Sequence, residues 1–186
     1  MVLGALINAK SLMEHIISNI ILIGPMGAGK TTIGRHVARL LGFEFFDSDR
    51  EIEERTGVAI PLIFELEGEE GFRRREKDVI SELAKKKNIV LATGGGAVLK
   101  KENQQALKRS GTIVYLCAGI DDLLERTSKD KNRPLLQTDD PRKKLQSILT
   151  EREPIYRELA DIILKTNKMT VHTAVKELED LIRDKC

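Results

Sequence analysis

Short apolar runs alternate along the chain with longer stretches in which apolar residues recur every three or four positions. The run Ile20-Ile-Leu-Ile23 is the sharpest of the short ones. Runs of this kind predict strands over 19–23, 43–46, 89–92, 112–116 and 162–165. Helical spacing predicts helices near 30–41, 49–56, 60–66, 68–86, 101–109, 120–128, 141–159 and 170–183. Strand alternating with helix implies an α/β protein, a parallel sheet with helices on both faces. Ligands in such sheets bind beyond the carboxyl ends of the strands. Chemistry is therefore expected just after each strand.

The first strand leads into Gly24-Pro-Met-Gly-Ala-Gly-Lys30-Thr31, which spells G-x-x-x-x-G-K-[ST]. The apolar face of the following helix is Ile33, Val37, Leu40 and Leu41. Strand, glycine loop and helix are the context a phosphate-binding loop requires. Backbone N–H groups curl around an anion there, and the helix adds its positive dipole end. Lys30 reaches for the β- and γ-phosphates, and the Thr31 hydroxyl is a Mg²⁺ ligand. The loop predicts binding of ATP or GTP with Mg²⁺.

Asp47-Ser-Asp49 follows the second strand. A phosphoryl-transfer site needs a carboxylate for Mg²⁺ and often a group that orients or deprotonates the attacking hydroxyl. Asp47 and Asp49 fit those roles. Ser48-Asp-Arg-Glu51 also reads as a capping box, which would explain Ser48 and Asp49 but not Asp47. After the third strand comes Thr93-Gly-Gly-Gly96, either a flexible connection or a backbone approached closely, with a small substrate on Gly95. On the helix beyond Gly68, Arg73, Arg74 and Arg75 cannot share a face, so at most one or two reach a cleft. The segment 128–141 reads as a mobile lid carrying Arg133, or as a solvated loop. Arg152 sits near a helix end, where it serves either the dipole or a site.

Composition narrows the function. The 186 residues suffice for one domain with a real core. Hydrophobic residues make up 41% but aromatics only 4%, so that core is aliphatic. The net charge of +2 lacks the basic excess of a nucleic-acid-binding protein. Cys117, expected as a buried thiol, and the terminal Cys186 form no disulfide or zinc pattern, which fits a reducing cytoplasm. Residues 1–18 are too short and too polar to span a membrane and read as an extension outside the core.

Together the motifs resemble the shikimate kinases from about residue 19 to 183. They are GPMGAGKTTIGR at 24–35, FFDSDREIEERTG at 45–57, FELEGEEGFRRRE at 64–76, TGGGAV at 93–98, RPLL at 133–136 and REPIYRELAD at 152–161. The resemblance implies a three-layer P-loop fold of the nucleoside-monophosphate-kinase type, with five parallel strands in the order 2-3-1-4-5. It implies phosphorylation of the 3-hydroxyl of shikimate by ATP, on the route to chorismate and the aromatic amino acids. It implies that Gly27, Ala28, Gly29, Lys30, Thr31 and Thr32 bind ATP, with Arg126 against adenine and Arg133 arriving with the lid. Thr31 and Asp47 serve Mg²⁺, and Asp49 contacts the hydroxyl that is phosphorylated. Arg73, Arg152 and Gly95 hold the acceptor. The expected partners are ATP and shikimate, with no nucleic acid and no membrane, for a cytoplasmic monomer whose domain spans 19–186. The alternatives are another small-molecule kinase, for gluconate or a nucleoside monophosphate, and a non-catalytic nucleotide-dependent binding module.

Overall fold

A computed structural model describes residues 19–128 and 138–185. Its sheet has five strands, β1 (Ile20–Ile23), β2 (Glu44–Asp47), β3 (Ile89–Ala92), β4 (Thr112–Cys117) and β5 (Ile162–Lys165). They run in the order β2-β3-β1-β4-β5, with every pairing parallel. Seven α-helices surround it among the described residues: α1 (Lys30–Leu41), α2 (Ser48–Thr56), α3 (Ile60–Leu83), α4 (Lys101–Ser110), α5 (Ile120–Thr127), α6 (Pro141–Leu159) and α7 (Val171–Arg183). The fold class and strand order are those expected. The extension 1–18, Cys186 and most of the 128–141 segment, Arg133 included, lie outside the described residues.

The central strand explains the layering. Ile20 to Ile23 are β-branched or aliphatic, a composition that favours extended backbone, and all four are fully buried. Side chains alternate across the sheet. Ile20 and Leu22 therefore pack with Ile33, Val37 and Leu178 on one face, and Ile21 and Ile23 with Ile80, Leu107 and Tyr156 on the other. Each such side chain contributes about 1.5–3 kcal/mol by leaving water.

The base of the sheet is pinned by Asn19, whose side chain is fully buried. Its Nδ2 donates to Ser110 Oγ at 2.8 Å and Lys86 O at 2.9 Å, and its Oδ1 accepts from Ile89 N at 3.0 Å.

The two helices expected over 60–66 and 68–86 meet at Gly68, where the backbone leaves helical geometry; the two segments together are α3, which ends at Leu83. Gly68 has φ 70° and ψ −177°, a conformation open essentially to glycine alone. Glu67 and Arg75 face each other across the break, with Nη2 2.6 Å and Nε 3.1 Å from the carboxylate oxygens. Cys117 is half-buried rather than buried, because it ends β4. Among the described residues no helix is long and apolar enough to cross a membrane.

Candidate active site

A cleft of about 710 Å³ opens at the carboxyl ends of the strands. Every predicted site residue among those described lines it. One end is the glycine loop between β1 and α1, with Gly27, Ala28, Gly29 and Thr32 along its wall. Lys30 Nζ folds back to donate to the carbonyls of Gly24 and Pro25, each at 2.8 Å. The first turn of α1 brings Thr31 to the end of β2, where its hydroxyl donates to Asp47 Oδ2 at 2.7 Å. Two oxygen donors thus meet beside the loop.

The turn from β2 into α2 corrects the capping reading. Asp47, not Ser48, is the N-cap: its Oδ1 accepts from Asp49 N at 3.1 Å. Ser48 is fully buried and its Oγ accepts from Gly94 N at 2.9 Å, tying α2 to the glycine segment after β3. β2 runs to Asp47, one residue beyond the expected end, so the cap falls on the strand's last position. Asp49 then falls in the first helical turn and lines the cleft.

The other end is cationic. Arg73 and Arg152 are buried, while Arg74 and Arg75 on the same helix as Arg73 are exposed. Arg73 Nη1 donates to Glu76 Oε2 at 2.7 Å, and Arg73 Nη2 to Glu69 Oε1 at 3.0 Å. Burial works against the Arg73 charge, but the carboxylates of Glu76 and Glu69 outweigh it and its pKa rises. Burial raises the Glu76 pKa, and the nearby charges of Arg73 and Arg152 pull it part of the way back. Arg152 Nε is buried without a hydrogen-bond partner among the described residues. Arg152 belongs to the cleft and not to a helix terminus, because α6 continues through Pro154 to Leu159. The pair forms a planar, fork-shaped donor set suited to a carboxylate.

The glycines after β3 have distinct reasons. A Cβ on Gly94 would sit 2.5 Å from Asp49 Oδ1 and 2.9 Å from Glu76 Oε1, and one on Gly96 would collide with the Arg73 guanidinium. The close approach expected at this segment comes in part from the protein's own side chains. Gly95, half-exposed between its two buried neighbours, faces the cleft.

A model of the shikimate kinase family matches residues 26–183. A shikimate kinase of Methylococcus capsulatus is 58% identical over 160 residues, 86% of this chain and 89% of the relative. The chain belongs to the shikimate kinase family. A solved structure of an Acinetobacter baumannii shikimate kinase in complex with shikimate superposes with a TM-score of 0.91 at 49% identity, covering 95% of this chain and 98% of the other. A gluconokinase of Sinorhizobium meliloti shares the fold, with a TM-score of 0.54 at 18% identity over 89% of this chain and 94% of that one. As a member of the shikimate kinases the protein is an enzyme, a kinase with ATP as co-substrate.

Three cleft-side residues escaped the sequence reading. Glu76 sits three positions after Arg73, a helical spacing that pairs opposite charges. Thr166 is the first residue after β5, the position where ligand contacts were expected. Its hydroxyl lies 3.3 Å from Ala28 O and 3.2 Å from Cys117 O. Arg126 holds it, donating from Nη2 to Thr166 O at 2.8 Å and reaching Gly27 O at 3.4 Å. This tie joins the glycine loop to the 166–171 wall of the cleft. Tyr156 follows Arg152 by one helical turn, and its hydroxyl donates to Gly95 O at 2.5 Å.

Proposed function

We propose that this protein transfers the γ-phosphoryl group of ATP to the 3-hydroxyl of shikimate, releasing ADP and shikimate 3-phosphate for chorismate and aromatic amino acid synthesis. One observation carries the reading: a single cleft joins a phosphate-binding loop to two buried arginines, with Asp49 lining it as well. The phosphates lie along the N–H groups of residues 27–32, and Lys30 leaves the loop carbonyls for the β- and γ-phosphates. Arg126 faces the nucleoside end. Thr31 Oγ1 and Asp47 Oδ2, hard oxygen donors 2.7 Å apart, fit a Mg²⁺ ion. Mg²⁺ would neutralise charge on the phosphate oxygens.

The acceptor lies at the other end. Arg73 and Arg152 take its carboxylate, Gly95 lies under its ring, and the Asp49 carboxyl accepts a hydrogen bond from the hydroxyl that attacks. Arg133 arrives over the phosphates, stabilises the transferring charge and helps exclude water. The protein works as a cytoplasmic monomer with ATP and shikimate as its partners.

The test is ADP formation with Mg²⁺ and a panel of acceptors. Turnover is expected with shikimate, and near-background rates with gluconate, a nucleoside monophosphate or water. ADP release that ignores shikimate contradicts the proposal.

A further inference from the structure

Three glycines in a row form the most mobile kind of backbone, yet the acceptor is taken to rest on the middle one. Two hydrogen bonds hold the segment from different elements. Ser48 Oγ, on α2, accepts from Gly94 N at 2.9 Å, and Tyr156, on α6, donates its hydroxyl hydrogen to Gly95 O at 2.5 Å. Tyr156 is fully buried, and its ring stacks on Tyr115 with centroids 5.1 Å apart and planes 25° from parallel. The ring is therefore held in place, and its hydroxyl meets the Gly95 carbonyl and the Arg152 guanidinium. Burial also pushes the phenol pKa up to about 12, so the hydroxyl remains a donor across the physiological range. Arg152 is one helical turn earlier, so both side chains belong to the same buried face of α6.

We infer that Tyr156 is a positioning residue for the acceptor. By fixing the Gly95 carbonyl it prevents the peptide plane between Gly95 and Gly96 from flipping. It also locks the distance from the glycine floor to Arg152, so one helix sets both the floor and one prong of the arginine pair. The inference rests on shikimate being the acceptor. A merely structural tyrosine would use Gly95 O only to satisfy a buried hydroxyl. That role predicts lost stability with no preference between the two substrates.

The experiment is steady-state kinetics on the full chain with shikimate and ATP varied separately. Tyr156→Phe keeps the stacked ring and removes the hydroxyl, and with it both the bond to Gly95 O and the contact with Arg152. It should raise the shikimate KM by about tenfold while the ATP KM stays within about twofold. Ser48→Ala frees the same segment from the α2 side and should show the same selectivity; it is the fallback if Tyr156→Phe does not fold. Asn19→Ala, a buried polar loss at the opposite end of β1, is the control. It should lower Tm and leave both KM values in place. An unchanged shikimate KM in Tyr156→Phe, or both KM values rising together, overturns the positioning role. Wild-type protein without shikimate-dependent ADP formation overturns the proposed function, and this inference with it. With an active wild type, the two KM values alone decide the role of Tyr156.

Discussion

At the scale of single residues, the acceptor end depends on buried charges that have few alternatives. Arg73 is committed to Glu76 and Glu69, while Arg152 Nε lacks a protein partner among the described residues. Arg73→Ala or Arg152→Ala should weaken shikimate binding by about 2–5 kcal/mol, because the ligand carboxylate is then desolvated without its partner. Titration calorimetry with shikimate reads this directly, and wild-type affinity in both variants removes them from the site. Tyr156 gives a second prediction. Its folded pKa, about 12, lies above the unfolded value near 10. Between those values the native state holds a proton that the unfolded chain has lost, so stability falls as pH rises from about 10 to 12. Tyr156→Phe should remove roughly 2–3 kcal/mol of that alkaline loss. Denaturant unfolding at pH 9 and at the alkaline end compares the two slopes; identical slopes contradict the buried, neutral phenol. Tyr115, also raised by burial, feels the Tyr156 phenol as a smaller contribution, so its own share of the alkaline loss shrinks slightly in the variant, in the same direction.

Residues of this kind mark where sequence stops being informative. Lys30, Thr31 and Asp47 lie next to a motif or a strand end, so local spacing placed them in the cleft. The Tyr156 bond spans 61 positions, and nothing near Tyr156 in the chain points to Gly95. Glu76 was hidden differently. Mixed charge on a helix usually marks a solvated face, and only the burial of Phe72, Arg73 and Val79 around it reverses that expectation.

At the scale of elements, the strands and helices followed hydrophobic periodicity to within three residues, the largest miss being the end of α3 at Leu83 rather than 86. The exceptions are local. β2 extends to Asp47, which pairs with Ala92 of β3 and also caps α2, so the turn chemistry moved by one residue. The break within α3 was legible as a boundary, because Gly68 interrupts the helical spacing. Ile60 and Phe64, before the break, and Arg73, after it, all line the cleft. The bend therefore sets how the first half of α3 overhangs the acceptor. Gly68→Ala should destabilise the fold by roughly 1–3 kcal/mol, since alanine strains at that φ and ψ although no neighbour lies within 4 Å of its Cβ. Chemical denaturation checks it. An unchanged midpoint contradicts the strained geometry, and a loss confined to stability with shikimate KM intact assigns the bend to folding alone.

At the scale of the whole molecule, the topology does the assembling. A parallel sheet in the order β2-β3-β1-β4-β5 puts the ends of β1, β2 and β3 side by side. The glycine loop, Asp47 and the glycine floor thus come from three neighbouring strands and meet in one cleft. Under the proposed function, metal dependence would be a property of this whole arrangement. Removing Mg²⁺ with a chelator should abolish turnover, and Asp47→Asn should raise the Mg²⁺ concentration needed for half-maximal rate. Insensitivity of that concentration to Asp47→Asn would take the carboxylate out of the metal site.

The decisive measurement is a crystal structure of the protein with ADP, Mg²⁺ and shikimate together. The shikimate carboxylate is expected between the guanidinium groups of Arg73 and Arg152. The 3-hydroxyl is expected within hydrogen-bond distance of Asp49 and facing the β-phosphate. A carboxylate bound away from both arginines, or a hydroxyl turned from the nucleotide, would contradict the proposed function.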